Sequence, residues 1–162
     1  MLDSKVMHKS LNSVSIFAIF LIFQCFLTKF AYSNSVKLDL STLNIDTFND
    51  LNIIIEGYER KFSFQKRNIP LVRHELLTNE IENIVDIQLL SHTYIGFFAY
   101  IDLNNDKKFN FDFKMNPLEP YGFSLNPIKQ YKQIKFEDIV IDISVMQQPL
   151  KINIIQNNNL IN

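Results

Sequence analysis

Cysteine, glycine and tryptophan are nearly missing from this chain of 162 residues, which has one Cys, three Gly and no Trp. A lone cysteine cannot close a disulfide within the chain, which rules out a disulfide scaffold and multi-thiolate metal clusters. Three glycines exclude collagen-like and glycine-rich low-complexity structure. Neither sign of charge predominates: 16 Lys and Arg face 17 Asp and Glu, a formal charge of −1. That removes the broad basic surface by which proteins gather nucleic acid through counterion release. What the chain has is apolar mass. Hydrophobic residues make up 47% and aromatics 13%, ample for the packed core of one domain and unlike a disordered chain.

The first part of the chain reads as an address. Lys5, His8 and Lys9 give a weakly positive start, and Ser10 to Thr28 is then uncharged, with the all-apolar centre IFAIFLIF at Ile16–Phe23. Ala31-Tyr32-Ser33 follows, with small residues two apart as a signal peptidase requires. Residues 1–33 therefore read as a signal helix cleaved after Ser33, with a periplasmic or secreted product. The alternative is an uncleaved membrane anchor at residues 14–32, near the roughly 20 residues a bilayer needs but interrupted by Gln24 and Lys29. Cys25 is no lipid-attachment site, because Ile22-Phe23-Gln24 lacks the small residues of a lipoprotein signal. Losing 33 residues, three lysines and one aspartate among them, leaves 129 residues with a formal charge of −3 and no cysteine. Stability then rests on burial alone.

The remainder alternates in strand fashion. Strand signals stand at 36–40, 52–58, 85–90, 93–102, 136–143 and 150–155, rich in Ile, Val, Phe and Tyr. In the fourth, Tyr94, Gly96, Phe98 and Tyr100 share one face and Ile95, Phe97, Ala99 and Ile101 the other, as in a central strand buried on both sides. In the fifth, Ile139, Ile141 and Ile143 oppose Asp138, Val140 and Asp142, a half-buried pattern. Only HELLTNEIENIV, with Leu77, Ile81, Ile84 and Val85 at helical spacing, predicts a helix. Strands with at most one helix predict an all-β antiparallel sandwich of about seven strands. Residues 34–155 form one domain, since no repeat or Pro- or Gly-rich linker interrupts them, and the polar tail 156–162 reads as disordered.

Three places can carry chemistry. Asp102, Asn104 and Asp106 alternate directly after the fourth strand, followed by Asn110 and Asp112. Oxygen-bearing side chains at that spacing can wrap a hard cation such as calcium. Against this, Lys107 stands where a sharp calcium turn wants Gly and Phe113 where it wants Glu, and the alternative is a turn in which Asx side chains bond nearby amides. The stretch Pro117 to Phe123 offers Glu119, Tyr121 and Phe123 on a proline-restricted loop, with Gly122 at a left-handed turn. It can present aromatics to a peptide or glycan, or fold back to cap the sandwich. His74 and His92 are candidates for acid–base work in a hydrolase, though no Gly-x-Ser-x-Gly or His-Glu-x-x-His accompanies them.

The order of these motifs resembles the bacterial domain-of-unknown-function 2141 family of small exported proteins. The stretch from Leu89 to Ile143 carries the resemblance: Leu89 to Tyr94 as the lead-in to a strand, then Asp102, Asn104, Asp106 and Asn110 as the acidic loop. Pro117, Glu119, Tyr121, Gly122, Phe123 and Ser124 follow, then Phe136, Glu137 and Asp138. The lead-in prolines and glycine of the family are Leu90, Ser91 and His92 here, the loop glycine is Lys107, and Asn110 replaces Asp. These changes weaken the calcium reading. The resemblance implies an immunoglobulin-like or transthyretin-like sandwich and supplies no catalytic residue.

The expectation is a non-enzymatic, periplasmic or secreted binding or accessory module, meeting an envelope protein, peptide or glycan through the loops after the central strand. An exported hydrolase using His74 or His92, and a membrane-tethered structural protein, are the alternatives.

Overall fold

The computed structural model of the chain describes residues 33–42, 45–48, 50–90 and 94–155. The expected signal segment up to Tyr32, His92 and the tail 156–162 lie outside the described residues. Eight strands are described: β1 (Ser33–Asp39), β2 (Asn52–Tyr58), β3 (Val72–Leu77), β4 (Ile84–Leu90), β5 (Tyr94–Asp102), β6 (Tyr121–Phe123), β7 (Val140–Asp142) and β8 (Leu150–Lys151). One short α-helix, α1 (Lys61–Lys66), follows β2. The strands form two sheets, one ordered β4-β1-β8 and the other β3-β2-β5-β6, with β7 also paired to β5.

Period-two alternation explains both faces of the larger sheet. Ile53 and Ile55 of β2, with Ile95, Phe97, Ala99 and Ile101 of β5, meet Val36, Leu38, Ile87 and Leu89 of the smaller sheet in an inter-sheet core. The other face of β2 and β5, with Ile54, Tyr58, Phe98 and Tyr100, is covered by a second core that takes Phe64 from α1, Tyr121 and Phe123 from β6, and Ile139. Phe109, Tyr131, Ile134 and Phe136 pack against it. This second layer makes β5 the doubly buried central strand that its sequence predicts.

Four expectations are corrected. The helix over HELLTNEIENIV is instead β3, a 3-10 turn at Thr78–Glu80 and the start of β4. Pairing of six residues with β2 overrides the helical spacing, and Thr78 fixes the turn by donating from Oγ1 to the Phe48 carbonyl and accepting from the Leu51 amide. The run 136–143 is a 3-10 turn at Phe136–Asp138 followed by the three-residue β7. Ile139, Ile141 and Ile143 are all buried as the alternation predicts, but Ile139 enters the second core and the other two the first. The run 150–155 shortens to β8 and an isolated bridge from Ile155 to Tyr121. Finally, the sandwich is not wholly antiparallel, since β8 runs parallel to β1, with Leu38 opposite Leu150.

Candidate functional site

Asp102 ends β5 and is fully buried. Its Oδ1 accepts the Asp106 amide at 3.2 Å and its Oδ2 the Lys107 amide at 2.7 Å. Asn104 also accepts from the Asp106 amide, Asp106 Oδ1 accepts from Lys108, and Asn110 Nδ2 donates to Asp106 Oδ2 at 2.9 Å. Asp102, Asn104, Asp106 and Asn110 are therefore brought together in one hydrogen-bonded loop. Asp112 is not: its carboxylate closes the next turn, accepting from the amides of Lys114 and Asn116 and from the Asn116 side chain. Among the described residues, no group of three or more His, Cys, Asp and Glu side chains is placed to share a metal ion. The hydrogen bonds are those of successive Asx turns.

Lys107 adopts the left-handed conformation, φ 63°, that a glycine would take without strain. Its groups are tied down on both sides: Nζ meets Glu75 at 2.7 Å, and the carbonyl accepts Arg73 Nη2 at 2.7 Å.

Glu119 closes the loop from beneath. It is 2% exposed; Oε1 accepts the Leu103 amide at 3.2 Å and Oε2 the Asn110 amide at 3.0 Å, one at each end of the loop. Burial pushes its carboxyl up to about 7 against the pull of those amides, and the negative charges of Asp102 and Asp106 push the same way. This is the role of Glu in the PLEPYGFS segment.

Of the two readings of the 117–124 stretch, the buried residues match the one that folds back onto the sandwich, and they do so as a strand. Tyr121–Phe123 is strand β6, buried throughout, with Tyr121 opposite Tyr100 and Phe123 opposite Phe98. Nor does Gly122 make a left-handed turn, since no glycine has positive φ. A Cβ there would lie 2.4 Å from the Asn153 carbonyl oxygen, so the glycine is required by close backbone approach. Ser124, also buried, accepts the Phe97 amide and donates to the Ile139 carbonyl.

Beside β6 lies a cleft of about 610 Å³, with Tyr121, Phe123, Ile134 and Ile155 on its wall and Gln130 and Gln133 among its polar lining. Tyr121 and Phe123 thus line a cavity while remaining core residues. The family described as an uncharacterized protein conserved in bacteria, DUF2141, matches residues 48–151. The chain belongs to this family. The match spans β2 to β8, including the acidic loop, Glu119 and β6, and leaves β1 outside it. No curated protein and no solved structure matches the chain.

Two buried polar clusters within the family region had only faint sequence signals. Glu56, a charge inside the apolar run of β2, is 6% exposed; it is ion-paired to Arg73 and accepts the Tyr58 hydroxyl at 2.5 Å. Burial, more than the neighbouring carboxylate, raises Tyr58 far above the ordinary phenol range, and burial pushes Tyr100 up to about 12. Arg67 lays its guanidinium over Phe64 at 3.9 Å and Phe98 at 4.3 Å, while Nε donates to the Tyr131 hydroxyl. Its left-handed backbone, φ 48°, caps α1. His74 sits half-buried on the edge strand β3 opposite Ile55, on the face turned away from Glu56.

Proposed function

We propose that the chain is a non-enzymatic binding or accessory module of the cell envelope, exported by residues 1–33 and working in the periplasm or outside the cell as an immunoglobulin-like sandwich. The observation that carries this reading is the cleft beside β6. Its apolar wall of Tyr121, Phe123, Ile134 and Ile155 lies next to the amides of Gln130 and Gln133 and the ammonium group of Lys129, a lining suited to a peptide or glycan. The polar groups best placed for chemistry, Glu119, Glu56 and Ser124, are instead engaged in holding loops and strands.

The test is a glycan and peptide array probed with the full chain and with Ile155→Glu and Gln133→Ala. Ile155 is 52% exposed, so the substitution leaves the core intact. A ligand that binds the parent at least tenfold more tightly than the variants supports the cleft, and equal binding by all three removes it. For export, the mass of the mature protein should begin at Asn34; a retained N-terminus would replace export with tethering.

A further inference from the structure

We infer that the rim formed by residues 113–116 and 125–135 docks on an anionic lipid bilayer. The two segments read FKMN and LNPIKQYKQIK and carry four lysines against the flanking Asp112, Glu137 and Asp138, in a chain whose overall formal charge is −1. The fold sets them side by side: Lys132 Nζ donates to the Lys114 carbonyl, and Met115, Asn116, Gln130 and Lys132 line one hollow.

The apolar side chains of this rim stand in water. Phe113 is 91% exposed and Ile128 103%, and Met115 and Leu125 are each more than half exposed. Single exposed apolar residues are ordinary on protein surfaces. Four of them interleaved with lysines on two touching loops are a patch with a definite chemistry. Lys114 lies over the Phe113 ring, its ammonium 5.4 Å from the centroid, and Lys129 is held by Asp138 at the rim's edge.

Phe113 and Leu125, which line neither the cleft beside β6 nor this hollow, project into solvent and offer a peptide little to grip. A bilayer presents the complementary layers: anionic headgroups for the lysines, and an acyl boundary a few ångströms deeper for Phe113, Met115, Leu125 and Ile128. The inference rests on the envelope reading only for the encounter with a membrane. Residues 126–130, 133 and 134 of the rim also line the cleft, but the two tests read different ligands, vesicles here and an array there, so failure of one leaves the other to stand on its own result.

The absence of tryptophan makes a local reporter available. In the full chain carrying Phe113→Trp, emission should shift to the blue with vesicles of phosphatidylglycerol and phosphatidylcholine, and not with phosphatidylcholine alone. The shift should fade at about 0.5 M salt, which screens the headgroups beyond a few ångströms. Adding Lys114→Glu and Lys132→Glu should weaken vesicle binding by about tenfold or more, since each lysine near an anionic surface is worth about fivefold. Tyr94→Trp, at a residue 60% exposed outside the rim, should not respond. No blue shift in the Phe113→Trp chain with anionic vesicles would overturn the inference. So would equal shifts in both reporters, which would place the contact elsewhere, including residues 14–32. A response to polyglutamate without one to vesicles would reassign the rim to an acidic protein.

Discussion

Glu119 accepts the amide of Leu103, the residue directly after Asp102, so that two buried carboxylates share one end of β5. Each holds backbone amides of the same loop: Asp102 those of Asp106 and Lys107, Glu119 those of Leu103 and Asn110. The loop is therefore stitched from within by negative groups that repel one another, which couples its order to pH.

The sign of that coupling follows from Glu119, whose carboxyl is pushed up to about 7 from 4.5 by burial and then by Asp102 and Asp106. A raised folded pKa means that the folded chain keeps this proton after the unfolded chain has lost it. Stability therefore falls as pH rises from about 4.5 to about 7, by of order 3 kcal/mol from this group. Glu119→Gln should flatten urea-midpoint curves over that window, whatever its effect on absolute stability. An unchanged slope in the variant would assign the pH dependence to other groups.

Calcium should have little to add to this loop, because the Asx side chains already bond backbone amides and Asp112 belongs to a separate turn. The expected result is a thermal midpoint that moves by less than a degree between millimolar calcium and excess chelator. A cation saturating a weak site would raise it by several degrees in a domain of this size. A rise abolished by Asp102→Asn would restore the cation site.

Much of the fold was legible because β2 and β5 are short, nearly continuous apolar runs rich in Ile, Phe and Tyr, and both begin and end within a residue of the runs that predict them. The second core was not, since it is assembled from loop residues such as Phe109, Tyr131 and Phe136 whose spacing has no period. α1 escaped for a related reason: only Phe64 of its six residues is buried, and no side chain caps its start. The site was half legible. Alternating Asx residues announced the loop, but the prolines and glycine around Tyr121 read as a turn when the chain needs Gly122 in a strand. Only the passage of residues 152 and 153 behind β6 explains that glycine.

Gly122→Ala tests this close approach. The added methyl would meet the Asn153 carbonyl oxygen at 2.4 Å and Ile152 Cγ2 at 2.8 Å, and a backbone atom cannot swing aside as a side chain can. The Ile155 bridge to Tyr121 would have to shift. Overpacking of this kind costs about 2–3 kcal/mol. A urea-unfolding loss under about 0.5 kcal/mol would mean that the 152–155 segment is held loosely.

Glu56 and Arg73 allow a sharper test, because the two single changes and the joint change should disagree. Arg73→Leu leaves the Glu56 carboxylate buried with only the Tyr58 hydroxyl, and should cost about 2–3 kcal/mol, less than a fully buried pair because Arg73 is 30% exposed. Glu56→Leu leaves the guanidinium paired with Glu75 and bonded to Tyr100 and the Lys107 carbonyl, with access to water, so the loss should be smaller. Removing both charges restores apolar packing on that face of β2, and the double variant should recover at least 1 kcal/mol relative to the sum of the singles. Chemical-denaturation midpoints of the four proteins give the coupling directly. Strict additivity would show that the pair contributes nothing beyond its separate contacts, leaving the backbone ladder and the apolar packing to fix β3 against β2.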